Sequence, residues 1–356
     1  MTHGRVYIPA LDGLRAVAVV AVVASHSWAQ ALPGGWIGVD VFFVLSGYLI
    51  TSILLGEHER TGKISFRRFY ARRALRLFPA LAVTLLLGVG IAYLVYPASA
   101  SDTVHEAIAA ALYVANWVVA FGQVRSGLLI HTWTLAIEEQ FYWTWPLALA
   151  ILLRLGGRQL ALRVTLGLIA VIVLHRLTGV PGAYFRTDTR ADTLLVGCAV
   201  AIAGSMELFD RVPAACIRVA GAVGAVAMAA VAVAGGQTSS LMQTVGFTLV
   251  ALAAACIVVM VAVRPLPLPV RALSHPVLEW AGRRSYGIYL YHPLCLALLA
   301  PRLGVDGPAT LLASLTLALA TAAVSYRYLE TPFLRLKDSL GVRRARSGSI
   351  VPAITA

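Results

Sequence analysis

The first apolar stretch of the sequence holds two ionisable residues, Arg15 and His26, eleven positions apart. Eleven residues make just over three turns of an α-helix, so both side chains fall on nearly one face, about 16 Å apart along the axis. Ionisable residues inside a membrane span are costly and usually serve a function. An imidazole that titrates near neutral pH can take a proton from a hydroxyl group. The pair therefore indicates a catalytic or transport site, with His26 as the candidate base.

Three carboxylates are predicted to lie at a similar depth to His26. Asp40 falls near the outer end of the second apolar segment, and Glu138 and Glu139 fall near the outer end of the fourth. A carboxylate can orient an imidazole and stabilise its protonated form. Because Glu138 and Glu139 are adjacent, they point about 100° apart on a helix, and we expect only one of them to face the site.

The same residues also have structural interpretations, which the sequence leaves open. His26 could form a hydrogen bond to a neighbouring helix. Arg15 could pair with Asp12, which precedes it by three residues. Asp40 could pair with a cation that the sequence does not identify.

A dense basic run follows the second apolar segment and contains Arg72, Arg73 and Arg76. Arginine guanidinium groups match the geometry of phosphate oxygens, so the run is a candidate site for a phosphorylated cofactor. Anionic lipid head groups are an alternative ligand, and a simple topology signal is another explanation.

Composition identifies the chain as an integral membrane protein. Of its 356 residues 59% are hydrophobic and 13% are charged, and the formal net charge is +13. A soluble domain carries about 25% charged residues. The positive charge lies between apolar segments, which points to membrane topology rather than to a nucleic-acid partner. Ten spans are predicted, near 9–29, 36–55, 77–97, 134–153, 162–180, 191–206, 216–234, 241–263, 285–301 and 308–328.

The predicted fold class is therefore all-α, a polytopic membrane helical bundle of about ten transmembrane helices. Basic loops place both termini in the cytoplasm. This topology requires that residues 105–121 form an in-plane or re-entrant helix instead of a span. Residues 1–335 form one membrane domain, and residues 336–356 form a basic cytoplasmic tail that we expect to be disordered.

Five segments together resemble the membrane-bound acyltransferase 3 family. In chain order they are IPALDGLR at 8–15 with His26 after it, GVDVFFVLSGYLI at 38–50, RRALRLFP at 72–79, TWTLAIEEQFY at 132–142 and SYGIYLYHP at 285–293. Each segment is weak alone, but their order and their coverage of roughly residues 5–335 make the resemblance specific.

The resemblance implies transfer of an acyl group, often acetyl, from acyl-CoA to a hydroxyl group of a sugar, a cell-envelope glycan or a macrolide-type natural product. It assigns the family's paired arginine and histidine to Arg15 and His26, and coenzyme binding to Arg72, Arg73 and Arg76. No metal is implied. We also expect a member without the fused esterase-like domain that some relatives carry. Whether the acyl group passes directly or through an acyl-histidine stays open.

Two rival interpretations remain at this stage. Intramembrane His, Glu and Arg residues also build proton relays and substrate paths, so a transporter or flippase is the main alternative. A non-catalytic lipid-binding scaffold is the second. In all three cases the chain is a multi-pass protein of the cell membrane, and its oligomeric state is not predicted.

Overall fold

Helices make up all the regular structure of the residues that the computed structural model describes, which are 7–123 and 127–336. The predicted all-α class is therefore confirmed. The helices are α1 (Pro9–Ser27), α2 (Gly38–Thr61), α3 (Phe66–Val95), α4 (Ala100–Ala111), α5 (Ala115–Ala120), α6 (Trp133–Leu177), α7 (Thr187–Ser205), α8 (Ala214–Ala234), α9 (Phe247–Val258), α10 (Pro267–Leu273), α11 (Pro276–Arg283), α12 (Ser285–Leu303) and α13 (Pro308–Ser325). Turns of π-helix extend α9 at both ends and α13 at its C-terminal end.

Seven helical segments of the described chain are long and apolar enough to cross a membrane, which agrees with a multi-pass protein. One of them, Ile130–Leu177, has 48 residues. A straight helix of that length would measure about 72 Å, more than twice the thickness of a bilayer's hydrocarbon core. It is broken at Gly157, whose φ of 64° and ψ of −159° suit glycine alone. Its two limbs match two of the predicted spans, although the total of ten stays a prediction.

The segment predicted not to span is folded into two short helices, α4 of 12 residues and α5 of 6. The chain reverses between them at Tyr113, which has a positive φ of 56°. The ring of Tyr113 meets Trp143 at 5.9 Å between centroids, ten residues along α6 from its first residue. The two helices form a short hairpin that packs beside α3 and α6, and its in-plane or re-entrant position in the membrane stays a prediction.

Polar side chains stabilise the non-helical backbone of this hairpin. The Gln140 amide donates to the Tyr113 carbonyl at 2.7 Å and to Asn116 at 2.9 Å. On α4, the Glu106 carboxylate accepts the backbone N–H of Leu129 at 2.7 Å. Burial, opposed by that N–H, raises the pKa of Glu106 to about 7.

Close helix crossings set the positions of the side chains in the core. A Cβ atom at Gly47 of α2 would lie 1.9 Å from the Leu194 carbonyl oxygen, and one at Gly197 of α7 would lie 2.0 Å from the Val44 carbonyl oxygen. The two backbones therefore touch, as they do where small residues form membrane helix contacts. Helix α1 packs against α2 and also against α10, α11, α12 and α13.

The basic run lies on a helix. The third span was predicted to start at residue 77, whereas α3 begins at Phe66 and includes Pro79 within it. The arginines between residues 67 and 76 thus occupy the first three turns of α3, and their directions are fixed by the helix. The predicted tail, 336–356, falls outside the described residues apart from Leu336.

Candidate active site

Three arginines from two helices line one cavity. Arg15 comes from α1, and Arg73 and Arg76 come from α3. The cavity has a volume of about 110 Å³. Its other lining residues are Val39, Phe42, Phe43, Ser46, Leu77, Thr134, Leu135, Glu138, Tyr142, Ser285, Tyr286 and Tyr289. Arg72, predicted to act with the other two arginines of α3, lies outside this lining.

Arg73 is the most firmly held of the three cations. Its Nε donates to a Glu139 carboxylate oxygen at 2.7 Å, and its guanidinium carbon lies 3.1 Å from the centre of the Tyr142 ring. The Arg73 and Glu139 side chains are 15% and 10% exposed. A charged hydrogen bond and a cation–π contact in a largely dry site are each favourable, so Arg73 presents its remaining donors in a fixed direction.

Glu138 and Glu139 take different roles, as their adjacency on a helix predicts. Glu139 binds Arg73, whereas Glu138 lines the cavity and accepts a hydrogen bond from the Ser46 hydroxyl at 2.7 Å. The structure thus places this carboxylate pair with the arginines.

The sequence left open whether Arg15 belongs to the site or pairs with Asp12, and in the structure it both lines the cavity and pairs with Asp12. Its guanidinium pairs with Asp12 at 3.1 Å, one turn earlier on α1, and it also lines the cavity. Asp12 accepts a second hydrogen bond, from the Tyr7 hydroxyl at 2.5 Å. Arg76, by contrast, is exposed and lines the cavity without a carboxylate partner among the described residues.

At the other end of α1, His26 belongs to a cluster of three histidines. Its ring centre lies 5.2 Å from that of His292 on α12, and His292 lies 5.8 Å from His131, just before α6. His26 is exposed, whereas His131 and His292 are buried. Within the described residues, no group of three or more His, Cys, Asp or Glu side chains is placed to hold a metal ion.

Hydrogen bonds fix which nitrogen of His26 and of His292 carries the proton. Nδ1 of His26 lies 2.8 Å from the Val22 carbonyl oxygen, and Nδ1 of His292 lies 2.7 Å from the Tyr289 carbonyl oxygen. A carbonyl oxygen only accepts, so each Nδ1 is the donor and each neutral ring keeps a basic Nε2. His26 therefore has the tautomer that a general base acting through Nε2 requires.

Tyr289 joins the cavity to the histidine cluster. It lines the cavity, and its ring centre is 5.7 Å from that of His131 and 5.6 Å from that of His292. Its hydroxyl accepts from Thr134 at 2.8 Å and donates to the His131 carbonyl oxygen at 2.8 Å. The arginine-lined cavity and the exposed His26 thus lie on two sides of a small buried assembly.

Asp40 lies in a different environment. Its carboxylate is buried against the Arg190 guanidinium of α7 at 2.7 Å, and both side chains are 0% exposed. Arg190 in turn lies over the Phe247 ring, 4.0 Å from its centre. The cation that the sequence did not identify is Arg190. A second buried pair, Arg176 with Asp192 at 2.8 Å, lies on α6 and α7.

The sequence analysis selected residues at the two ends of this arrangement, whose roles stay predictions, and did not select the residues between them. His131 and His292 were not selected, although His292 falls inside a segment that carries the family resemblance and His131 directly precedes another. The criterion that selected His26, an ionisable residue in an apolar segment, applies equally to His292. Tyr289 carries no comparable signal, because an aromatic residue in a membrane helix is usually packing.

The chain belongs to the acyltransferase domain family, whose model matches residues 8–327. It is therefore a multi-pass membrane protein of an acyltransferase family, and the resemblance stated from its motifs is confirmed.

Two curated relatives of the chain are named as O-acetyltransferases. The chain is 35% identical over 353 residues to the peptidoglycan O-acetyltransferase OatA of Listeria monocytogenes, covering 93% of this chain and 56% of that protein. It is 36% identical over 348 residues to the O-acetyltransferase OatA of Staphylococcus aureus, covering 92% of this chain and 57% of that protein. The chain thus spans a little over half the length of these relatives. No solved structure matches it significantly.

Proposed function

We propose that this chain is a membrane-embedded O-acyltransferase that moves an acyl group, acetyl in the first instance, from acyl-CoA to a hydroxyl group of a cell-envelope glycan. The observation that carries the proposal is the line of residues from three cavity arginines, past Tyr289, to an exposed histidine base. Family membership supports acyl transfer. The names of the two relatives support an acetyl group and a glycan acceptor.

The arginines are suited to anchor the donor. Coenzyme A would supply the thioester and the phosphate groups that guanidinium groups recognise. Glu139 holds Arg73 in place, and Arg76 is exposed and forms no ion pair with a carboxylate of residues 7–123 or 127–336 that an anion would have to displace. Arg15 stands with them in the lining, although it shares α1 with His26. We assign donor binding to these three residues and leave Arg72 a lesser role.

His26 is the proposed general base. Its basic Nε2 would take the proton of the acceptor hydroxyl group while the hydroxyl oxygen attacks the acyl carbon and the bond to sulfur breaks. Its exposure suits it to meet an acceptor, and its ring contact is with His292, which in turn contacts His131. In this proposal Glu139 affects the reaction indirectly, because it holds Arg73 in place, and Glu138 faces the donor from the cavity lining.

Purified protein reconstituted in vesicles tests the activity directly. We expect it to release free thiol from acetyl-CoA in step with acetylation of peptidoglycan fragments, and His26→Ala to stop both. Macrolides, and glycans other than peptidoglycan, serve as comparison acceptors. Movement of acetyl-CoA or glycan across the vesicle without thioester cleavage would instead favour a transporter.

The proposed sidedness places the donor in the cytoplasm and the acceptor near the outer face. Single cysteines at Ala31, next to the His26 end of α1, and at Lys63, next to the arginine end of α3, test it, because both positions are exposed. In intact cells we expect an impermeant thiol reagent to label Ala31→Cys, and Lys63→Cys only after permeabilisation. The reverse pattern would overturn the topology and the donor side together.

A further inference from the structure

The donor cavity does not reach the base in this structure. None of the three histidines lines the cavity, but Tyr289 lines it and also packs its ring against two of them. Its ring contributes to the cavity wall and packs at the same time against His131 and His292. The tyrosine side chain therefore stands between the arginine-lined cavity and the histidine cluster.

Two hydrogen bonds hold this tyrosine in place. The hydroxyl accepts from Thr134 and donates to the His131 carbonyl oxygen, both at 2.8 Å, and the residue is 8% exposed. A ring fixed by packing and by both functions of its hydroxyl does not swing freely, because moving it breaks two buried hydrogen bonds at once. An open arrangement is then a minor population unless a ligand stabilises it.

Both sides of Tyr289 reach the surface of the protein. His26, beyond the cluster, is exposed, and the cavity of about 110 Å³ has the exposed Arg76 in its lining. A reactive thioester that ends here is shielded from bulk water on the His26 side by the tyrosine ring. Excluding water from a site is a recognised way to suppress hydrolysis of a reactive group.

We propose that Tyr289 is a specificity-determining partition, which keeps water on the histidine side from the acyl group in the cavity and so favours transfer over hydrolysis. This inference rests on the proposed acyltransferase function. In the side reaction, the oxygen of water bonds to the acyl carbon and the carbon–sulfur bond breaks. One water proton passes to the departing thiolate, and the products are a carboxylic acid and a thiol.

The kinetic test uses Tyr289→Ala and Tyr289→Phe in the full chain, with acetyl-CoA and no acceptor. We expect Tyr289→Ala to release free thiol at least several-fold faster than the wild type, and Tyr289→Phe, which keeps the ring but loses both hydrogen bonds that hold it, to release thiol faster than the wild type but slower than Tyr289→Ala. The matched control is Tyr291→Ala on the same helix. Tyr291 is also buried but bonds to Ser325, away from the cavity, and its truncation should not raise thiol release. A loss of packing alone would slow thiol release in both alanine variants. A partition predicts faster thiol release in Tyr289→Ala and no increase in Tyr291→Ala.

A second measurement does not depend on the donor. Ser46 lines the cavity, so Ser46→Cys, in a background with the four native cysteines replaced by Ala, reports access to it. We expect a thiol reagent applied from the Ala31 side to label this cysteine when Tyr289→Ala is present and not when Tyr289 is intact. Equal labelling in the two backgrounds would overturn the partition. If the wild type neither binds nor cleaves acetyl-CoA but the labelling differs as expected, the proposed donor fails while the partition stands.

Discussion

Replacing Arg76 by Ala should weaken donor binding more than it weakens catalysis. Arg76 is exposed, lines the cavity and has no carboxylate partner in the described chain, so its removal leaves no buried charge unpaired. A hydrogen bond to a charged group contributes about 1.5–3 kcal/mol. At about 1.4 kcal/mol per factor of ten, the apparent KM for acetyl-CoA should rise about ten- to a hundredfold with a smaller change in kcat. The assay is acetyl transfer by purified protein over a range of acetyl-CoA concentrations.

Arg72→Ala is the matched control, because it removes the same charge from the same helix one turn earlier, outside the cavity lining. It disturbs the positive charge that sets topology as much as Arg76→Ala does. We expect its KM to change less than threefold. If both substitutions change the KM equally, or if Arg72→Ala has the larger effect, the arginines bind the donor elsewhere or act only through topology.

Three further predictions follow from the site and its supports. His26→Ala should lower turnover about 10²- to 10⁴-fold with little change in melting temperature, since an exposed base contributes proton transfer and not packing; near-wild-type turnover would remove the proposed base. Removing either Asp40 or Arg190 alone should lower the free energy of unfolding by about 3–5 kcal/mol and lower the melting temperature, whereas the double variant Asp40→Leu with Arg190→Leu should recover most of that free energy. A catalytic Asp40 would instead lose turnover at an unchanged melting temperature. For Glu106, a pKa raised from 4.5 to about 7 means that the fold favours the protonated form, so stability declines as pH rises between those values, and Glu106→Gln should flatten the melting profile there.

Membrane class and most helix positions could be read from the sequence because hydropathy reports directly on burial in lipid. The third span shows the limit of that signal. The arginines of the basic run interrupt the apolar pattern, so the predicted span began at residue 77 and missed the first turns of α3. Hydropathy measures where lipid begins, whereas a helix continues into the aqueous phase for as long as its backbone bonds are satisfied.

Pairings between distant segments were not readable. Asp40 was grouped with His26 by depth, yet a partner 150 positions away in the sequence, Arg190, holds it. Depth gives one coordinate of a residue in a membrane, and helix packing supplies the other two. Gly47 and Gly197 allow α2 and α7 to touch, and this close contact brings Asp40 and Arg190 within reach of each other. The chain has thirty glycines, and the sequence does not show which of them lie at such contacts.

The spacing of Arg15 and His26 takes on a different meaning in the structure. Residues about 16 Å apart on a rigid helix cannot share one reacting atom. Arg15 instead belongs to the cavity, His26 belongs to the histidine cluster, and Tyr289 stands at the boundary. Helix α1 therefore fixes the distance between the group proposed to bind the donor and the group proposed to remove the proton. A donor able to react must have its anionic part and its acyl carbon separated by a comparable length, which a compact acyl phosphate does not provide and a long thioester arm does. On the proposed function, this geometry selects for the length of the donor, and the arginines select for its charge.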